Sequence, residues 1–250
     1  MKKKLVSVII PYYKKKDHFK KTFLSIQKQK YRNMEVIIIY DDEDLDEVKF
    51  IKKLISRDKR FKIIFNPKNL GAGYSRNKGI SISKGEFIAF LDADDVWKKN
   101  KLSSQIKFMN KENINCSHTS YEIINDKNNI LSVRIAKNFF NLSSLLKSCD
   151  IGLSTVVIKS KIIKKKIKFP KLKTKEDFVF WLILLRKKEK IYGLNKNLSF
   201  WRKTNNSLSS FAYQKLIDAF YVYYKYMKFG VIKSIFYVIL LSTYFVKKNV

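Results

Sequence analysis

The chain has few cysteines, which limits its redox chemistry and the environment in which it works. Its 250 residues include only 2 cysteines, Cys116 and Cys149, too few and too far apart for a disulfide framework or a cysteine-based zinc site. We therefore expect a reducing compartment, the cytoplasm. Lysines precede the apolar run 5–10 as in a signal peptide, but the run is short and stops at Pro11. It predicts a buried first strand instead.

Acidic residues are also scarce relative to basic ones. There are 21 Asp and Glu against 53 Lys and Arg, which gives a formal net charge of +32 at pH 7. Such a charge favours an anionic partner, namely a nucleic acid, an acidic membrane or a phosphorylated substrate. The sequence lacks a recognisable nucleic-acid-binding motif such as a zinc finger or helix-turn-helix. The charge keeps a basic nucleic-acid-binding module as an alternative function. Because no such motif is present, we expect no nucleic-acid partner.

The C-terminal segment is apolar but has no run long enough to cross a bilayer. Residues 211–250 contain 12 aromatic residues, 6 lysines and a single acid, Asp218. The run 234–246 has only 13 residues, fewer than the roughly 20 that a spanning helix needs. We divide the chain into a main domain, 1–210, and a helical tail, 211–250. The tail either lies in a membrane interface or packs on the domain or a partner subunit.

The N-terminal half alternates between strand and helix patterns. Apolar runs at 5–10, 35–40, 61–65 and 86–91 predict strands. Helical spacing relates two sets of apolar residues, Phe19, Phe23 and Ile26 in the first and Leu102, Ile106 and Met109 in the second. This order predicts an α/β fold with a mostly parallel twisted sheet flanked by helices, whose strand ends open on one edge.

The second half is less regular. Strand patterns occur near 117–124 and 153–158, and a helix is predicted near 175–188. The apolar face of that helix consists of Phe178, Trp181, Leu182 and Leu185. The segment 159–175 contains 9 lysines and no acid. It is either a solvated face or a surface for an anionic acceptor or membrane.

One predicted strand runs directly into three carboxylates. Residues 86–91 are followed by Asp92, Asp94 and Asp95, and ligands collect beyond the carboxyl ends of strands in open α/β sheets. Crowded carboxylates raise one another's pKa unless a cation neutralises them. A divalent metal with oxygen ligands explains the cluster, and a solvated turn capping the helix that begins near Trp97 is the alternative.

Two other acidic pairs follow or begin predicted elements. Asp41 and Asp42 follow the strand 36–40 and can accept hydrogen bonds from a nucleobase or a ribose, or favour the dipole of the next helix. Glu176 and Asp177 begin a helix. A carboxylate there is either an ordinary first-turn cap or a general base that activates a hydroxyl.

A glycine-rich segment precedes the carboxylate cluster. Gly71-Ala-Gly73 followed by Arg76 comes close to the dinucleotide fingerprint Gly-x-Gly-x-x-Gly. We reject that interpretation, because Arg76 replaces the third glycine and the segment follows an inner strand. Arg76 and the backbone N–H groups at a helix start favour a nucleotide diphosphate instead.

Taken together, these motifs resemble family 2 glycosyltransferases with the GT-A fold, of the bacterial cell-surface polysaccharide type. The resemblance is continuous over about residues 5–110 and resumes further on. The segments that carry it are Val6-Ser-Val-Ile-Ile-Pro-Tyr-Tyr13, Glu35-Val-Ile-Ile-Ile-Tyr-Asp-Asp42, Arg76-Asn-Lys-Gly79, Gly85-Glu-Phe-Ile-Ala-Phe-Leu-Asp-Ala-Asp-Asp-Val-Trp97, Glu176-Asp177, Trp201-Arg202 and Ser207-Leu-Ser209. Residues 111–174 match only loosely, in the part where acceptor specificity varies in the family.

The resemblance implies an inverting, metal-dependent glycosyltransferase. It would move a sugar from a nucleoside-diphosphate sugar, expected to be a UDP-sugar, to a hydroxyl of a glycan or lipid-linked acceptor in surface polysaccharide biosynthesis. Asp177 would be the catalytic base, and Asp94 would hold Mg²⁺ or Mn²⁺. The implied nucleotide-sugar-binding residues are Pro11, Tyr13, Asp42 for the base, Arg76, Asp92 for the ribose, Ala93, and Arg202 at the diphosphate.

The sequence departs from the family next to the implied base-binding residue. Lys14 stands where the family usually has Asn, and Glu43 and Asp44 replace Gly-Ser. A nucleotidyltransferase of similar fold, which would also use metal-bound carboxylates on a nucleotide, is an alternative function, and an inactive scaffold is another. The lysines and the aromatic tail predict peripheral attachment to the anionic inner face of the cytoplasmic membrane.

Overall fold

The computed structural model describes residues 4–163, 167–204 and 212–247. Strands and helices alternate through the first half of the chain, as the sequence predicts. The elements are β1 (Val6–Tyr12), α1 (Lys16–Gln27), β2 (Met34–Tyr40), α2 (Leu45–Ile55), β3 (Phe61–Phe65), α3 (Ala72–Ile82), β4 (Phe87–Phe90), β5 (Val96–Trp97) and α4 (Lys101–Lys111).

The second half adds antiparallel strands, a buried helix and a helical tail. Its elements are β6 (Cys116–Ile124), β7 (Ile130–Arg134), β8 (Val157–Lys159), α5 (Ser160–Ile163), α6 (Glu176–Arg186), β9 (Tyr192–Arg202), α7 (Ala212–Tyr221) and α8 (Val231–Lys247). A π-helical turn, Val222–Tyr226, continues α7.

The strands of the described residues form one sheet in the order β3-β2-β1-β4-β8-β6-β9-β5, with β7 beside β6. Strands β3, β2, β1 and β4 are parallel neighbours. Strand β8 is antiparallel to both β4 and β6, whereas β9 is parallel to β6. The predicted α/β fold with a mostly parallel sheet flanked by helices is confirmed. The carboxyl ends of β1, β2 and β4 share one edge, where the candidate site lies.

Alternate residues of the central strand β1 face two hydrophobic clusters. Val8 and Ile10 belong to the cluster that contains α1 and α4, and Ile9 belongs to the cluster that contains α3, α6 and the tail helices. All three side chains are fully buried. A strand covered on both faces needs apolar residues in successive positions, which explains why residues 8–10 of β1 are all apolar.

The tail helices pack on the domain through one face only. Ala219, Val222, Tyr223 and Leu241 are buried in the cluster that contains α6, and the Tyr223 hydroxyl donates to the carbonyl oxygen of Leu146 at 2.7 Å. Packing on the domain, one of the two interpretations of this segment, therefore describes that face. Among the helices of the described segments, none is both long enough and apolar enough to cross a membrane.

Several local expectations differ from the structure. The expected strand 153–158 begins as a 3₁₀ turn, Leu153–Thr155, before β8. The helix expected near Trp97 begins at Lys101, because Val96 and Trp97 pair antiparallel with β9. Such pairing joins residues that are far apart in the chain, and local periodicity does not report it.

Helix α6 is buried on more than the single predicted face. Its buried residues include almost every position from 178 to 185. The ring of Phe180 contacts Phe90 of β4, whereas the ring of Phe178 contacts Tyr223 of the tail. A helix enclosed on both sides is apolar all round, and here the sheet and the tail enclose α6.

Gly79 allows α3, which carries Arg76, to approach β1 closely. A Cβ atom added at Gly79 would lie 2.5 Å from Cγ2 of Ile9, whose side chain is buried and stiff at χ1. We predict that Gly79→Ala lowers the free energy of unfolding by about 1–3 kcal/mol, as overpacked core substitutions do. Urea denaturation measures this change.

Gly230→Ala provides the matched control. A Cβ atom at Gly230 would have no neighbour within 4 Å, so we expect a change within about 0.5 kcal/mol. Equal unfolding free energies for the two variants would contradict the close packing of α3 on β1.

Candidate active site

A buried arginine joins the two acidic parts of the site. Arg76 on α3 is 4% exposed. Its Nη2 donates to Oδ1 of Asp92 at 2.8 Å, and its Nη1 donates to Oε1 of Glu176 at 2.5 Å. Burial lowers the pKa of Arg76, but Asp92 and then Glu176 raise it more, so its pKa lies above the usual value. The loop after β4 and the start of α6 therefore belong to one site.

The segment before α6 is hydrogen-bonded to α3, the helix that carries Arg76. Asn77 donates from Nδ2 to the carbonyl oxygen of Phe169 and accepts from the Phe169 N–H, both at 2.9 Å. The guanidinium of Arg76 lies 5.5 Å from the centre of the Phe169 ring, within the range of a cation–π contact. A Cβ atom at Gly73 would lie 2.9 Å from the carbonyl oxygen of Pro170. Glycine at this position thus lets the two backbones meet.

The adjacent carboxylates Asp41 and Asp42 have different surroundings. Asp41 is buried and accepts from Asn66 Nδ2 at 2.6 Å and from the N–H groups of Leu70 and Gly71 at 2.9 and 2.8 Å. Gly71 has φ 86°, a left-handed conformation that favours glycine. Asp41 therefore positions the turn into α3. Of these two carboxylates, only Asp42 is available for the predicted contact with a nucleobase.

Asp42 lies beside the end of β1, where two other implied nucleotide-sugar-binding residues, Pro11 and Tyr13, are found. It accepts from the N–H of Lys14 at 3.2 Å, and the neighbouring Tyr13 is 40% exposed. Pro11 is partly buried within β1, and Tyr12 is buried. The structure therefore brings Asp42 and an exposed aromatic ring to the same edge, an arrangement that can bind a flat base.

The departures from the family at this edge have local structural roles. Lys14 has φ 49°, a left-handed conformation in which Asn is enriched. Asp44 caps α2 by accepting from the N–H groups of Asp46 and Glu47 at 2.8 and 3.2 Å. These backbone hydrogen bonds lower the pKa of Asp44. Lys14 and Asp44 thus shape the turns on either side of Asp42, which itself follows the end of β2.

The three carboxylates after β4 point to different partners. Asp92 pairs with Arg76, and Oδ2 of Asp94 lies 2.6 Å from Nζ of Lys15. Asp95, 1% exposed, accepts from Ser154 Oγ and from the Arg202 N–H. Burial raises the pKa of Asp95 well above its usual value, and the charges of Asp94 and Asp92 raise it further. Wherever the structure describes side chains, no three Asp, Glu, His or Cys groups are grouped as metal ligands, and Asp94 as the single protein ligand implied for a metal stays a prediction.

Asp94 is the member of this group whose surroundings fit a metal shared with a substrate. Its side chain is partly exposed, unlike that of Asp95. Magnesium is often held by one or two carboxylates together with substrate phosphates. The oxygen of Asp94 therefore fits a divalent metal that a diphosphate helps to bind.

Two hydroxyl side chains that the sequence did not single out hold the turn formed by residues 92–95. Thr22 on α1 donates to the carbonyl oxygens of Ala93 and Asp95 at 2.9 and 2.8 Å. Ser154 accepts from the N–H of Asp92 at 3.0 Å while it donates to Asp95. Ser154 lies in the loosely matching part of the chain, and no local pattern marked it.

Arg202 lies behind the same turn. Its Nε donates to the carbonyl oxygen of Asp94 at 3.1 Å. Its Nη1 and Nη2 donate to the carbonyl oxygen of Asn125 and to Oδ1 of Asn128 at 2.9 and 3.0 Å. The side chain is buried and joins the Asp94 backbone to the loop between β6 and β7. Its implied contact with a diphosphate stays a prediction.

Asp177 begins α6 next to the residue that binds Arg76. Its Oδ1 accepts from the Phe178 N–H at 2.7 Å. Burial raises the pKa of Asp177 to about 7, with a further increase from Glu176 and an opposing effect from Arg76. A carboxylate with that pKa can accept a proton near neutral pH, as a general base must. The structure therefore brings Asp92 and Asp177 together through Arg76 and Glu176.

Comparisons with known proteins agree on one family. The model of the family described as glycosyl transferase family 2 matches residues 7–191. A relative from Escherichia coli, named UDP-Glc:alpha-D-GlcNAc-diphosphoundecaprenol beta-1,3-glucosyltransferase WfgD, is 37% identical over 214 residues, which are 85% of this chain and 82% of that protein.

Solved structures show the same fold. S. aureus TarS in complex with UDP-GlcNAc superposes with a TM-score of 0.73 and 21% identity, over 87% of this chain and 64% of that one. The mannosyltransferase PcManGT from Pyrobaculum calidifontis, in complex with GDP-Man and Mn²⁺, has a TM-score of 0.70 and 11% identity, over 93% and 69% of the two chains. With the family model covering most of its length, the chain belongs to glycosyl transferase family 2 and has the GT-A fold.

Proposed function

We propose that the protein is an inverting glycosyltransferase that uses a UDP-sugar donor and Asp177 as its general base. The observation that carries this proposal is the contact of Arg76 with both Asp92 and Glu176. Asp177, whose pKa lies near 7, directly follows Glu176, so this contact keeps the start of α6 beside the strand ends where ligands bind in α/β folds. Family membership favours glycosyl transfer over the nucleotidyltransferase alternative.

The donor occupies the edge formed by β1, β2 and β4. Tyr13 and Asp42 contact the base, and Asp92 accepts from a ribose hydroxyl. The parallel pairing of β1 with both β2 and β4 supports this assignment, because it brings the ends of all three strands together. The E. coli relative is named for UDP-Glc as donor, and TarS was solved with UDP-GlcNAc. Both names support uridine as the base.

Asp94 holds Mg²⁺ or Mn²⁺ together with the donor diphosphate. Such a metal supplies Lewis-acid stabilisation of the charge that develops on the departing diphosphate. The partly exposed carboxylate of Asp94 supports this role, as does the Mn²⁺ in the structure of PcManGT. Arg202 keeps Asp94 in place by binding its carbonyl oxygen.

Transfer then proceeds in a single displacement. Asp177 removes the proton of an acceptor hydroxyl, and that oxygen forms a bond to the anomeric carbon. The bond from the anomeric carbon to the diphosphate oxygen breaks, and its electron pair leaves with the nucleoside diphosphate. Attack on the face opposite the leaving group inverts the configuration, and the proton remains on Asp177.

The acceptor is an anionic, lipid-linked glycan. Lys175 immediately precedes the acidic pair that begins α6, and Asp218 of α7 accepts from the N–H and hydroxyl of Thr174, both at 2.8 Å. Burial lowers the pKa of Lys215 on α7, and the nearby charges of Lys175 and Lys203 lower it further. These lysines favour a phosphate group beside Asp177. The acceptor in the name of the E. coli relative carries a diphosphoundecaprenol group.

The exposed face of α8, opposite the face that packs on the domain, supports attachment to the cytoplasmic membrane surface. Ile232 is 87% exposed, and Ile235, Phe236 and Ile239 on the same face are also exposed. Lys233 lies among them. An exposed apolar stripe flanked by lysines is typical of helices that lie in the headgroup region of an anionic bilayer. The protein is therefore a peripheral enzyme at the inner face of the membrane.

The role of Asp177 predicts a specific pH dependence. A general base must be deprotonated, so kcat/KM should rise with pH through a midpoint near 7 and fall as the pH drops below that value. Transfer from labelled UDP-glucose or UDP-GlcNAc to a short-chain polyprenyl diphosphate sugar measures it. Glu176→Gln should move the midpoint to lower pH, because the Glu176 charge raises the pKa of Asp177.

Asp177→Asn separates catalysis from binding. Loss of a general base costs about 10²–10⁴-fold in rate, and we expect the variant to lose transfer by that factor while it still binds UDP in calorimetry. Near-normal turnover would remove Asp177 from the mechanism. Detection of a product with retained anomeric configuration would contradict the single displacement.

Membrane attachment predicts a loss of binding when the exposed face of α8 becomes charged. The double variant Ile232→Glu, Phe236→Glu should bind phosphatidylglycerol liposomes at least about 100-fold more weakly in flotation, because burial of each such side chain stabilises binding by about 1.5–3 kcal/mol. The control, Leu45→Glu with Ile130→Glu, charges two exposed apolar residues outside the tail. Equal flotation of both double variants would exclude this face.

A further inference from the structure

A lysine occupies the position beside Asp94 that a divalent cation would share with the donor. Nζ of Lys15 lies 2.6 Å from Oδ2 of Asp94, and the two side chains are 27% and 14% exposed. We propose that Lys15 is a second cation of the donor site, whose ammonium group binds the diphosphate oxygens. This inference rests on the proposed function, which places the diphosphate at Asp94.

The backbone around Lys15 directs its side chain toward the turn that contains Asp94. Lys14, with φ 49°, ends the extended path of β1 in a left-handed turn. Lys15 then occupies the N-cap position just before α1, and its carbonyl oxygen accepts from the N–H groups of His18 and Phe19 at 3.1 and 2.9 Å. The first helical turn keeps Lys15 at the carboxyl end of β1. Its position depends on these hydrogen bonds as well as on the ion pair.

The two neighbouring lysines do not share this environment. Nζ of Lys14 lies 5.2 Å from the centre of the Tyr13 ring, on the side of the site proposed to bind the nucleobase. Lys16 is exposed on the first turn of α1. Of these three consecutive lysines, Lys15 is the one paired with a carboxylate of the site. The cation at Asp94 therefore results from local structure and not from the general excess of basic residues.

Electrostatics explains how one ammonium group serves both partners. Without a donor, the ion pair with Lys15 compensates the charge of Asp94, which lies close to Asp92 and Asp95 in the sequence. A metal held by Asp94 would repel the ammonium group of Lys15, and the donor diphosphate would then offer that ammonium group a new anionic partner. Charge-assisted hydrogen bonds to phosphate oxygens are short and strong. Lys15 therefore supplies part of the affinity for the donor even when no metal is bound.

Calorimetric titration of the full chain with UDP, GDP and ADP tests this, in EDTA and in saturating Mn²⁺. We expect Lys15→Met, which keeps the unbranched apolar stem, to weaken nucleotide binding in EDTA by about tenfold, the loss of one charge-assisted contact. In Mn²⁺ the loss should be smaller. Lys16→Met removes the same charge at the exposed neighbour and should bind like the wild type, and Lys15→Arg should restore most of the affinity. Thermal melting checks that each variant is folded.

Three outcomes would overturn the inference. The first is equal affinity of Lys15→Met and Lys16→Met in EDTA. The second is wild-type binding that disappears altogether in EDTA. The third is tighter binding by Lys15→Met in Mn²⁺ with no loss in EDTA, which would make Lys15 only a competitor for Asp94. If the wild type binds no nucleoside diphosphate in either condition, the proposed donor site fails as well, so the two failures are distinguishable.

Discussion

The site depends on a buried guanidinium held between two carboxylates. Removing the charge of Arg76 from water is costly, and only paired, hydrogen-bonded partners compensate for that cost. Its contacts with Asp92 and Glu176 supply those partners. Because one partner follows β4 and the other begins α6, a single buried ion connects the loop after β4 to the start of α6. Burial raises the pKa of Asp177 most, and the same charges modify it, since Glu176 raises this pKa further and Arg76 lowers it.

At two strand ends, one of two neighbouring carboxylates supports the local structure and the other remains accessible to a ligand. After β2, Asp41 binds the turn before α3, and Asp42 faces the edge of the sheet. After β4, Asp95 is buried against Ser154 and the Arg202 N–H, and Asp94 remains partly exposed. Carboxylates that accept backbone N–H groups can stay buried because their hydrogen bonds are satisfied. Each such pair thus combines one residue that shapes a loop with one that is open to a ligand.

The parallel half of the fold and the main site motifs were predictable, because both are written in local sequence. Continuous apolar runs indicated β1, β2 and β4, and the acidic motifs at their ends resembled one family. The pairing of β5 with β9 and the role of Ser154 were not predictable, since both depend on contacts between distant segments. Sequence spacing likewise grouped the carboxylates after β4 but did not indicate the protein partner of each. The partners of Asp95, Ser154 and the Arg202 N–H, come from distant segments of the chain.

The central claim is that one site contains both the donor-binding residues and the general base, Asp177. The most direct measurement is a crystal structure of the protein with Mn²⁺ and a non-hydrolysable UDP-sugar. The account predicts the ribose at Asp92, the metal on Asp94, and Asp177 on the face of the anomeric carbon opposite the diphosphate. A nucleotide bound away from the ends of β1, β2 and β4, or Asp177 on the same face as the diphosphate, would contradict it.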